Sequence, residues 1–144
     1  MSMENLNDEE RIAVTRTAMA IVDSWKLTGE QILFVLGLPE GTRTRQLAKF
    51  RDNTPFPDDP EVMARANHIL HIAEALVTAF PKNPPMRHLW MQKPNRRFRR
   101  KTPIQVILER GREGLSQVRA ELDCTYMWDQ SGSVRGDSQA AGGR

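Results

Sequence analysis

The chain has 144 residues, a single cysteine and a net charge of +3. That length supports one domain, with burial enough to fold without metal or disulfide staples, and a lone Cys124 excludes an internal disulfide and fits a reducing compartment. The polar, acidic start "MSMENLNDEE" lacks the basic-then-apolar pattern of a secretion signal and no apolar run approaches membrane-helix length, so the expectation is a soluble cytoplasmic protein.

The charge is unevenly spread. Residues 75–108 hold eight Lys or Arg and no acid, while the remainder holds thirteen basic and eighteen acidic residues. Such a split presents one positive face, suited to a polyanion or an acidic partner surface.

In chain order, Asn7 with Glu10 three residues later forms a capping-box pattern, with acids in the first turn where the helix dipole favours them. Val14, Ala18, Ile21 and Trp25 then recur at helical steps. Thr28 and Gln31 repeat the capping spacing before "ILFVLG", and Gly37 supplies a residue that tolerates the left-handed conformation at a helix end. After the tight connection "LPEG", "TRTRQLAKFRD" predicts a helix capped by Thr42 with Leu47 and Phe50 turned inward. Two helices joined by a short turn, the second one basic, read as a helix-turn-helix.

"NTPFPDDP" holds three prolines in eight residues and reads as a loop. From Pro60 a seam of Val62, Ala66, Ile69, Ala73, Leu76 and Phe80 predicts a long helix that ends at "FPKNPP". A short helical piece, "MRHLWMQ", precedes the basic corner "KPNRRFRRK", in which six of nine residues are Lys or Arg. There Pro94 and Asn95 make a turn, Phe98 is the one apolar anchor, and Thr102-Pro103 opens a helix that Gly111 closes. Leu115, Val118 and Leu122 define a last helix; beyond Trp128 the chain is rich in Gly and Ser without apolar periodicity, and disorder is expected there in isolation.

Few residues invite chemistry. His68 and His71 share a helix face with Glu74, but two histidines without a third ligand at a known spacing read as surface or interface residues rather than a metal site. No nucleophile motif, phosphate loop or carboxylate pair is present, so neither an enzyme nor a cofactor is expected. Thr42, Arg43, Thr44, Arg45, Gln46 and Lys49, with Arg51, are the residue types that reach base edges and phosphates in a major groove. An RNA-binding reading of the basic corner is weaker, because Phe98 alone is available to stack a base.

"LWMQKPNRRF", "TPIQVILERG" and "LSQVRAELD" together resemble the toxin-binding domain of the Xre/MbcA/ParS antitoxin family, and "SWKLTGEQILFVLGLP" is similar to that family's helix-turn-helix start. The marks are Trp90, Pro94, Asn95, Thr102 and Pro103 at their spacing. Phe50 stands where the family often has Trp, Leu38-Pro39-Glu40-Gly41 where a Ser is frequent, and arginines where a Gly falls near 99 or 100. The resemblance implies an all-α fold, with a helix-turn-helix bundle over 1–57, a connecting helix over 58–82, a toxin-binding domain over 83–128 and a flexible tail over 129–144. It implies an antitoxin that binds and occludes a RES-domain toxin acting on NAD, forms a homodimer and a hetero-oligomer with the toxin, and binds operator DNA. The implied toxin contacts are Trp90, Pro94, Asn95, Arg96, Arg97, Arg99, Arg100, Tyr126 and Trp128, and charge adds Arg135 as a cation suited to an anionic NAD-binding cleft. The alternative is a stand-alone helix-turn-helix regulator whose C-terminal part only dimerises.

Overall fold

The computed structural model of the chain describes the backbone of residues 6–135 and the side chains of residues 6–124. Seven α-helices follow one another, and no β-strand forms among the described residues: α1 (Asp8–Ser24), α2 (Gly29–Leu36), α3 (Leu47–Asp52), α4 (Pro60–Ala79), α5 (Pro84–Gln92), α6 (Pro103–Arg110) and α7 (Arg112–Arg135). The all-α expectation holds.

Helix starts are set locally, as the sequence patterns require. Asn7 with Glu10, Thr28 with Gln31 and Thr102 with Gln105 each form a reciprocal capping box, which satisfies backbone N–H groups left without intrahelical partners. Asp59 and Asn83 cap α4 and α5, each of which has proline in its first turn. Gly37 ends α2 at φ +67°, in the left-handed region.

Three details differ from the sequence expectation. Thr42 does not cap the basic helix: its hydroxyl donates to Pro39 O at 2.6 Å inside the turn, and Thr44–Gln46 form a 3-10 turn that leads into the six-residue α3. The α4 seam passes through Ile72, which is buried, rather than Ala73, because α4 packs against more than one neighbour and the larger side chain takes the deeper position. α7 continues past Trp128 to Arg135, where the pattern gave no reason to extend it.

α4 is the spine. It packs most extensively on α7, and α1 and α2 also lie against it. Glu61 on α4 meets Arg112 on α7 at 3.1 Å, and His68 meets Arg119 at 3.2 Å. Both contacts pair residues 51 apart in the same order, so α4 and α7 run parallel. Parallel neighbours need a crossover, and α5, the basic corner and α6 provide it. α6 then turns onto α7 at Gly111 and Gly114.

One core of buried residues runs from Ala18 to Leu122 and includes Trp25, Ile32, Leu47, Phe56, Ile69, Ile107 and Val118. Its single buried polar side chain among the described residues is Thr15. Arg65 joins three elements. It donates to Phe34 O at 2.8 Å and Val35 O at 3.3 Å, the exposed carbonyls at the end of α2, and to Glu61, which also holds Arg112 of α7. A guanidinium at a helix C-terminus satisfies orphan carbonyls and complements the dipole.

Candidate functional site

The basic corner between α5 and α6 is built from the backbone outward. Asn95 donates its N–H to Lys101 O at 3.0 Å, and its own carbonyl accepts the N–H groups of Phe98 and Arg100, each at 2.9 Å. Its side-chain oxygen accepts Arg97 N–H at 2.9 Å. Lys101 N–H closes the loop onto Phe98 O at 3.1 Å. Phe98 and Trp90 are half-buried and pack against the core, so the loop is pinned at its base and its cations point outward. Pro94 is exposed and Asn95 half-buried, in keeping with a turn made by the first and organised by the second.

Within this loop Arg99 has φ +56° and Arg100 φ +70°. Left-handed backbone costs an L-residue with a Cβ about 1–2 kcal/mol, and glycine avoids that cost. The surrounding backbone bonds hold the two arginines there against that cost.

The cations divide into two sets. Arg97 pairs with Glu121 of α7 at 3.3 Å, and Lys101 pairs with Glu109 of α6, so these two fasten the loop to the fold. Arg96, Arg99 and Arg100 are exposed, and no carboxylate among the described residues pairs with them. Tyr126, Trp128 and Arg135 lie on α7 beyond the described side chains.

The other candidate surface is the α2-turn-α3 unit. Arg43, Thr44, Arg45 and Lys49 are exposed. Gln46 is engaged locally: its side-chain oxygen accepts Arg43 N–H at 2.6 Å. Thr44 also packs close to Gly29, where an added Cβ would stand 2.9 Å from its methyl carbon. Arg51 makes a two-pronged pair with Asp23 of α1, both contacts at 2.9 Å, and fastens α3 to α1. The structure therefore leaves Arg43, Thr44, Arg45 and Lys49 exposed, Lys49 with its Nζ 5.2 Å from the Phe50 ring centroid, and commits Thr42, Gln46 and Arg51 to the fold.

His68 sits at the α4/α7 contact with Nδ1 facing the Arg119 guanidinium. An arginine only donates, so the nitrogen accepts and the ring is neutral. Burial first, and then the charges of Arg119, Arg112 and His71, hold its pKa below the ordinary histidine value. His71 lies 3.8 Å from Glu74. Among the described residues no group of three or more His, Cys, Asp or Glu is placed to hold a metal ion, and no helix is long and apolar enough to cross a membrane.

Sequence reading missed Arg65, Thr15 and Gly114. None carries a local signal: each matters through a partner many residues away.

A pinned, cation-bearing loop on the C-terminal side of a small helical protein has the features of a binding surface. Residues 74–124, which span the end of α4, α5, the basic loop, α6 and the first part of α7, match the family model described as the antitoxin Xre/MbcA/ParS C-terminal toxin-binding domain. This stretch is thus similar to the toxin-binding domain of the antitoxin family that the sequence resembles. No curated protein and no solved structure gives a significant match.

Proposed function

We propose that the protein is the antitoxin of a bacterial type II pair, that it binds and occludes a RES-domain toxin acting on NAD, and that it contacts its own operator DNA. The match of residues 74–124 to a toxin-binding domain carries this reading. Inhibition works by covering the toxin and needs no reaction chemistry from the antitoxin. The basic loop and the neighbouring surface of α7 form the toxin-facing side, with Trp90, Pro94 and Asn95 setting the shape from which Arg96, Arg97, Arg99 and Arg100 project. Tyr126, Trp128 and Arg135, further along the chain, complete the proposed contact set. Exposed Arg43, Thr44, Arg45 and Lys49 support the DNA contact, because cations and hydroxyls of this kind bind phosphates and base edges. A homodimer would give this surface the two-fold symmetry that paired half-sites require.

The test is co-expression with the product of the adjacent gene, affinity capture, and an assay of NAD consumption with and without this chain. A stable complex with suppressed NAD loss is the expected result. Absence of a complex, alongside specific binding to upstream DNA, would replace the antitoxin reading with that of a stand-alone regulator.

A further inference from the structure

We infer that the loop at residues 95–101 is a preformed cationic knuckle whose partner is a carboxylate-rich patch on the toxin, an inference that rests on the toxin-binding role proposed above. Three observations carry it. Arg99 and Arg100 both occupy left-handed backbone, at φ +56° and +70°, where glycine would fit without strain. Strain of this kind persists where the surroundings over-determine it, and it clusters where side chains are put to use.

The charges are also sorted. The cations nearest the fold, Arg97 and Lys101, are taken up by Glu121 and Glu109, while Arg96, Arg99 and Arg100 meet no carboxylate among the described residues. Pairing the first two holds the loop still and leaves the other three for an outside partner.

The loop's backbone amides are turned inward as well. Phe98, Arg99, Arg100 and Lys101 all donate to loop carbonyls, so the loop offers no amide cradle for a single phosphate group. It presents guanidinium groups instead, whose planar fork pairs in two-pronged fashion with a carboxylate or a phosphate. Their place inside the stretch that matches a toxin-binding domain is what favours carboxylates of a protein surface over the phosphates of a nucleic acid.

The experiment uses the full chain and, as probe, the purified product of the adjacent gene. Two variants separate charge from strain: R99G/R100G, which removes both, and R96Q/R99Q/R100Q, which removes charge and keeps the side-chain length. R99G/R100G is expected to melt at a higher temperature than the wild type. Both variants are expected to weaken the complex by about tenfold or more, with a shallower dependence on salt. A wild-type complex that keeps the same affinity and salt dependence in both variants would overturn the knuckle while leaving the toxin-binding reading intact. Unchanged toxin affinity with lost binding to a non-specific DNA duplex would overturn it too, and would assign the loop to nucleic acid. If the wild type forms no complex, the toxin-binding reading fails and the knuckle's partner with it.

Discussion

The Thr15 hydroxyl accepts the Phe56 backbone N–H at 2.8 Å while donating to Arg11 O at the same distance, and Arg11 in turn donates to Phe56 O at 2.8 Å. This pair fastens a proline-rich loop to α1. It also seats the Phe56 ring in the core, its centroid 5.3 Å from that of Phe50. Thr15 is 1% exposed, so no water replaces it if the hydroxyl is lost. Thr15→Val keeps the shape and leaves the Phe56 N–H without an acceptor, which should cost about 1–3 kcal/mol in chemical denaturation. A neutral result would show that the loop re-seats itself.

Gly114 is required by packing. A Cβ there would overlap Val106 O and stand 2.8 Å from Ile107 Cα, both backbone atoms of α6 that have little freedom to move. Alanine improves helix propensity by up to about 1 kcal/mol, whereas forced overlap in a packed interior costs about 1–3 kcal/mol. Steric cost should win: Gly114→Ala lowers the melting temperature and weakens toxin binding together. An alanine variant that melts higher would mean that α6 and α7 separate without penalty.

His68 gives the fold a pH dependence with a definite sign. Its folded pKa lies below the unfolded value of about 6.5, so the unfolded chain takes up the proton first. The contribution to stability is fully present above the unfolded value and is lost as pH falls from there through the lower folded value. Denaturation midpoints at about pH 7.5 and about pH 5 should differ more in the wild type than in His68→Gln. Equal differences would place the dependence on other groups.

The basic residues around α3 separate by task. Arg45→Ala and Lys49→Ala should weaken binding to upstream DNA and reduce its salt dependence while leaving the unfolding free energy within about 0.5 kcal/mol of the wild type. Arg51→Ala removes the pair with Asp23, a half-exposed contact worth up to about 1 kcal/mol, and should act on stability first. DNA binding lost with Arg51→Ala alone, at unchanged stability, would reverse this assignment.

What was legible in the sequence follows from where each signal resides. Asn7, Thr28 and Thr102 cap helices through partners three residues on, so their roles can be read from spacing. Phe98 could be named as the anchor of the basic corner because it is the only apolar residue there. Thr15 lies 41 residues from Phe56 in sequence and Arg65 lies 31 from Phe34, and no local pattern announces either contact. Gly114 is required only because the backbone of α6 lies across it, which no spacing in the sequence announces. The left-handed arginines were hidden for a related reason: Arg99 and Arg100 are residues that seldom adopt that backbone, and the bonds that hold them there start at Asn95. Gln46, chosen for its chemistry, proves occupied by its own turn.

The parallel alignment of α4 with α7 bears on how long the protein lasts in a cell. The ties that register α7 come from Glu61 and His68, upstream of Glu74 where the toxin-binding match begins. The matched segment therefore draws part of its support from the half that carries the DNA-contact candidates, beside its own packing of α6 on α7. A protease that opens α1 or the proline-rich loop would remove a main neighbour of α4 and loosen the support of α7 in the same event. Cleavage in the front half should therefore loosen the matched segment as well, so the two halves are expected to be lost together.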